Sequence, residues 1–173
     1  KMEVVRTFKP TNDFIKKVRE LATQKNIILI FDECTSGFRE SFGGIHKNYK
    51  VDPDIAIFGK TLGNGYAINA VIGKKSVMEA AQSTFISSTF WTERIGPTAA
   101  LKTLEVMEKI QSWEIITNIG LKVRENWKKI SQSHNIPITI YGIPALSGFT
   151  FDFDNTKILE TLFTQEMLKK GYL

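Results

Sequence analysis

The chain has 173 residues, 42% of them hydrophobic and 24% charged, which fits a soluble globular protein of about one domain and excludes a disordered one. Lysine and arginine outnumber aspartate and glutamate 23 to 18, but no basic block exceeds two residues, so no nucleic-acid partner is expected. The longest apolar run, residues 27–31, is far below the roughly 18 residues of a membrane span. The single cysteine and the two distant histidines, His46 and His134, give neither a disulfide framework nor zinc-ligand spacing. No metal and no membrane partner are expected, and the location implied is the reducing cytoplasm.

Along the chain, Lys1 to Val5 read as a strand already in progress, and both ends look cut from something longer. Thr11 or Asn12 can cap a helix whose apolar positions are Phe14, Ile15, Val18, Leu21 and Ala22. The unbroken run Ile27 to Phe31 predicts a strand covered on both faces in a parallel sheet. A glycine-rich loop (Gly37, Gly43, Gly44) leads to a second buried strand, Ile55 to Phe58, and Ala70 to Gly73 forms a third before a short helix near Lys75. Strands alternating with helices point to an open α/β sheet.

Beyond Ile95 the spacing predicts long helices over 98–109 and 113–133. Strands follow at Ile138 to Tyr141 and Gly148 to Phe153, the latter with the alternation of a half-exposed antiparallel sheet, and then a helix over 156–170. Gly171 stops it with a strand about to begin at Tyr172. The change of pattern places a domain boundary near residue 110.

Ligands of open α/β sheets gather beyond the carboxyl ends of the strands, which singles out Asp32-Glu33 after the first run and Lys60 after the second. Taken singly, such an acid more ordinarily caps a helix or faces water, and such a lysine is ordinarily solvated. Together they fit two chemistries. A phosphate-loop nucleotidase would use Gly59-Lys60-Thr61, but the glycine needed five residues before Gly59 is Asp54, and residues 55–58 read as strand. Pyridoxal phosphate chemistry needs a lysine to hold the aldehyde as a Schiff base and a carboxylate to keep the ring nitrogen protonated. The displaced lysine then moves protons.

Leu29-Ile30-Phe31-Asp32-Glu33, followed by Thr35-Ser36-Gly37-Phe38-Arg39, resembles the aspartate signature of the class III pyridoxal-phosphate aminotransferases, a family that includes glutamate-1-semialdehyde aminomutase. Tyr49, Val51, Pro53-Asp54-Ile55 and Gly59-Lys60-Thr61-Leu62-Gly63-Asn64-Gly65 are similar to its lysine segment. The resemblance covers nearly the whole chain.

It implies an α/β fold, part of the large domain of a fold type I (aspartate aminotransferase-like) transferase over residues 1–110, with the start of a small α+β domain over 111–173. Pyridoxal 5'-phosphate is the implied cofactor, with Lys60 as its Schiff-base lysine and Asp32 at the ring nitrogen. Cys34 stands where the family usually has a valine packed on the ring. Ser88 to Arg94 matches the stretch in which a threonine reaches the phosphate of a neighbouring subunit, so Thr89 implies a homodimer. Trp91-Thr92-Glu93-Arg94 replaces the usual Ser-Gly-Asn-Pro, which makes Thr92 the alternative phosphate ligand and Arg94 a candidate for a substrate carboxylate or a surface ion pair.

The implied reaction moves an amino group between a small-molecule donor and acceptor, or within one molecule. The family's phosphate loop and ring-stacking aromatic precede the matched stretch. The isolated piece is therefore expected to be inactive and to bind the cofactor weakly, and a non-catalytic remnant acting by binding or dimerisation is the alternative.

Overall fold

The computed structural model describes residues 13–87 and 89–172. The expected strand at Lys1 to Val5, the capping residues Thr11 and Asn12, and Leu173 lie outside them. The described residues divide into two compact units, meeting between Thr117 and Asn118.

The first unit opens with α1 (Phe14–Gln24), whose Ile15 and Ala22 are buried while Phe14 and Leu21 remain exposed. The helix ends when Asn26 turns left-handed at φ +57° and the Ile27 amide donates back to the Ala22 carbonyl at 2.8 Å, a Schellman stop. The strand after it, β1 (Ile30–Glu33), is therefore not the expected Ile27 to Phe31. Ile27 belongs to the helix stop. The Leu29 amide donates to the Asp54 carboxylate, and its carbonyl accepts from the Asp54 and Ile55 amides. Nor is the run covered on both faces, because Ile27, Ile28 and Ile30 are 58%, 52% and 49% exposed.

β2 (Ile55–Phe58) pairs parallel to β1, with Asp32 opposite Ile57 and Glu33 opposite Phe58. The connection between them contains a 3-10 turn, Ile45–Tyr49. β3 (Ala70–Gly73) adds to the other edge of β2 antiparallel, giving the order β1-β2-β3. Side chains alternate across a strand. Phe31, Glu33, Ala56, Phe58 and Ala70 thus share one face, while Ile30, Asp32, Ile57 and Val71 share the other. The first face carries the core: Ile15 and Val51 pack with Phe31, and Phe38, Leu62, Ala100 and Met107 pack with Ala56 and Phe58.

Ala100 and Met107 come from α3 (Ile95–Ile110), which starts three residues before the predicted 98 because Pro97 falls in its first turn, where its missing N–H costs nothing. The short α2 (Lys75–Met78) follows β3. α4 (Ser112–Ser133) begins in the first unit, where Trp113 packs on Phe42 with ring centroids 5.6 Å apart, and continues into the second.

In the second unit, β4 (Ile138–Tyr141) pairs antiparallel with β5 (Gly148–Phe151), and α5 (Thr156–Lys169) follows. Phe149 is the hub of an aromatic cluster, with Trp127 at 5.1 Å, Phe151 at 5.4 Å and Phe163 at 5.6 Å. Gly120 lets α4 approach the 144–146 turn closely, since a Cβ there would sit 2.0 Å from the Pro144 carbonyl oxygen. No described helix is long and apolar enough to cross a membrane.

Candidate active site

Asp32 is the third residue of β1, half-buried on the face opposite the core. Its carboxylate accepts the Cys34 amide at 3.1 Å, and the Gly37 amide closes the turn onto the Glu33 carbonyl at 2.8 Å. The turn leaves no room at Gly37, where a Cβ would lie 2.7 Å from the Phe58 ring. Two residues after β2 comes Lys60, with its backbone in the left-handed region at φ +35°. Its Nζ donates to Thr35 Oγ1 at 2.5 Å and lies 3.8 Å from Cys34 Sγ. Between strand and lysine, Gly59 is required by packing, because a Cβ would come within 2.7 Å of Cys34 Sγ and 2.4 Å of Asn69 Oδ1.

Asp32 and Lys60 therefore both touch Cys34, one at its amide and the other at its thiol, beside the carboxyl ends of neighbouring parallel strands. A cavity of about 560 Å³ lined by Ala56, Phe58, Ala70 and Leu104 lies on the core face, away from this cluster.

Behind Asp32, the Glu33 carboxylate is fully buried and accepts from the Ile45 amide (2.7 Å), the His46 amide (3.0 Å), the Ser36 hydroxyl (3.0 Å) and His46 Nδ1 (2.7 Å). Burial pushes its pKa up, but the hydrogen bonds from His46 and Ile45 together with the His46 charge interaction outweigh that, and the net shift is downward. The group is ionised, and as an acceptor-only carboxylate it requires the proton on His46 Nδ1. Residues 45 and 46 are thereby tied to the strand end that carries Asp32.

Thr89 stands in an exposed turn with no hydrogen bond to Asp32, Cys34 or Lys60 among the described residues. Thr92 and Arg94 are also exposed, and Arg94 lines a surface groove with Tyr66, Ile95 and Lys102. The unusual Trp-Thr-Glu-Arg stretch has a local structural role. The Glu93 carboxylate accepts the amides of Ile95 and, at 3.0 Å, Gly96, so it caps α3. Sequence reasoning missed that role. It also gave no role to Thr35, which stands inside the aspartate signature, or to His46, which stands outside any motif; both become significant only through what they touch.

A family model described as "Aminotransferase class-III" matches residues 7–173. The chain belongs to the class-III aminotransferases. Among curated relatives of this class-III chain, a 3-aminobutyryl-CoA aminotransferase from Cloacimonas acidaminovorans is 38% identical over 90% of the chain. A glutamate-1-semialdehyde 2,1-aminomutase from Sulfurihydrogenibium sp. is 29% identical over 94%. The chain spans 38% and 41% of those two proteins, about two fifths of their length. Among solved structures, the Sphingopyxis sp. MTA144 FumI protein, described in its PLP internal aldimine form, superposes with a TM-score of 0.82 at 23% identity, covering 86% of this chain and 36% of that one. An omega-transaminase from Sphaerobacter thermophilus gives 0.73 at 23% identity, covering 84% and 34%. The α/β architecture of the class-III chain is that of a fold type I PLP-dependent transferase. The phosphate-loop alternative is overturned: residues 55–58 are β2, and Asp54 bonds Leu29, Arg19 and Lys74 where that loop needs a glycine.

Proposed function

We propose that the protein containing this chain is a pyridoxal 5'-phosphate-dependent aminotransferase or aminomutase, in which Lys60 holds the cofactor aldehyde and Asp32 pairs with the ring nitrogen. The observation that carries this reading is the meeting of Asp32 and Lys60 on Cys34 in a class-III aminotransferase chain. The donor set fits the cofactor. A half-buried carboxylate on the open face suits a protonated pyridine nitrogen, and an amine on a neighbouring strand end suits an aldehyde. When bound, the cofactor acts as an electron sink for the substrate's alpha carbon. Asp32 keeps the ring nitrogen protonated, Cys34 supplies a small soft surface for the ring, and the Lys60 amine moves protons at the reacting carbon once freed.

The substrates are a small-molecule amino donor and acceptor, or one molecule serving as both. Of the relatives named, the more similar acts on 3-aminobutyryl-CoA by its name, which supports an aminotransferase over an aminomutase. The active form in this reading is a cytoplasmic homodimer, with Thr89 of a second copy reaching the cofactor phosphate. Phe85 and Trp91, 95% and 69% exposed on either side of Thr89, support burial of this stretch against another copy. Residues 1–110 and 111–173 are proposed as part of the large domain and the start of the small one, and the 173-residue piece alone is proposed to be inactive.

The test uses the full-length protein. Lys60→Ala should keep the fold and lose both the cofactor's borohydride-reducible visible absorbance and amino transfer. Transfer at the normal rate in Lys60→Ala would refute the reading.

A further inference from the structure

The Lys60 side chain is long and exposed, and lysine gives up more rotamer freedom than most side chains when it is fixed. Yet its Nζ is held at the mouth of the two strands by the Thr35 hydroxyl, which accepts from it at 2.5 Å. The thiol of Cys34, at 3.8 Å, is a weak acceptor by comparison. Thr35 is itself held. Its carbonyl accepts from Arg39 Nε at 2.7 Å, and the turn that carries it is closed by Gly37 on Glu33 at 2.8 Å and by Cys34 on Asp32 at 3.1 Å. A β-branched side chain has few χ1 choices, so a fixed backbone fixes the hydroxyl. One short turn therefore presents the Asp32 carboxylate and the Thr35 hydroxyl together, and the latter reaches across to the neighbouring strand end.

We propose that Thr35 is a positioning residue for Lys60: its hydroxyl holds the amine where an incoming aldehyde meets it. This rests on Lys60 being the cofactor-bearing amine. In that role Thr35 acts before any turnover, because an amine already placed beside Cys34 and Thr35 does not have to be gathered from solvent when the bond to the aldehyde forms. For that bond to form the Lys60 ammonium would first give one proton to solvent, the neutral amine would add to the aldehyde carbon, and the aldehyde oxygen would leave as water with the two remaining amine hydrogens; the Thr35 hydroxyl orients the amine and takes no proton itself.

The experiment measures bond formation rather than turnover. The full-length protein is prepared free of cofactor and mixed with pyridoxal 5'-phosphate. The borohydride-reduced adduct on the Lys60 peptide is then followed in time by mass. Thr35→Val keeps the shape and removes the oxygen, and should slow adduct formation about tenfold, the loss expected for one hydrogen bond. Thr35→Ser keeps the oxygen and should stay within about twofold of the parent. Equal rates for the parent and Thr35→Val overturn the proposal. Equal slowing in Thr35→Ser and Thr35→Val also overturns it, because packing and not the hydroxyl would then be responsible. If Thr35→Val does not fold, Thr35→Ala replaces it in the same comparison. A parent protein with no adduct on Lys60 refutes the cofactor reading itself, whereas an adduct on Lys60 that forms equally fast without the hydroxyl refutes only the role of Thr35.

Discussion

Glu33 and His46 lie 2.7 Å apart, carboxylate oxygen to ring Nδ1, with the glutamate side chain wholly shielded from solvent and the histidine 8% exposed. The contact joins the end of β1 to the 3-10 turn at Ile45–Tyr49, and it stands on the face of the sheet opposite Asp32. Four donors converge on this carboxylate, so the ion is stabilised locally although it is buried.

Removing that carboxylate leaves the Ile45 and His46 amides and the His46 ring facing an apolar gap. Glu33→Ala should lower the stability of the full-length protein by about 1–3 kcal/mol or more, the cost of leaving buried donors without an acceptor. Urea unfolding followed by fluorescence measures it. A loss below about 1 kcal/mol would mean that the cluster is not a structural anchor.

Asp54 supplies a pH dependence of defined sign. Its carboxylate accepts from the Leu29 amide at 2.8 Å, from Lys74 Nζ at 2.8 Å and from Arg19 at 2.7 Å, which together hold its pKa well below the ordinary 3.8. A group lowered on folding contributes stability above its unfolded value and loses it as pH falls through the folded one. The advantage of the parent over Asp54→Asn should therefore be constant above about pH 5 and shrink steadily as pH drops below 3.8. Urea midpoints of the two proteins across pH 3 to 7 would reveal it; the Lys74 part is discounted because that ammonium is 54% exposed. A gap that widens in acid would contradict the assigned direction.

Glu93 caps α3 through the amides of Ile95 and Gly96. Glu93→Ala should cost about 0.5–2 kcal/mol, the usual range for a lost helix cap. Thermal melting reports the loss, and hydrogen exchange should place it in the first turn of α3.

Gly120 faces backbone, not a pliable side chain, so Gly120→Ala cannot be absorbed by a rotamer change. The added methyl must displace either α4 or the turn at Pro144–Leu146, which should destabilise the second unit by about 1–3 kcal/mol or more. An alanine variant as stable as the parent would show that this close approach is not maintained in solution.

Residue order alone determined the helices and most strands, because apolar spacing is a local property of the chain: residues 55–58, 70–73 and 138–141 are strands at the positions the pattern predicts. It also singled out Asp32 and Lys60, since a polar residue ending an apolar run can be read without knowing its neighbours. The run at Ile27 to Phe31 was misread because an unbroken apolar stretch does not reveal that its first residue closes a helix or that Leu29 is claimed by Asp54. Only the tertiary structure decided which residues stand together. Thr35 faces Lys60 across 25 positions of sequence, and His46 faces Glu33 across 13. Such pairings depend on the register of β1 against β2 and on the path of the loop between them, which are set by burial of Phe31, Ala56 and Phe58 against the helices and not by anything in the paired residues themselves.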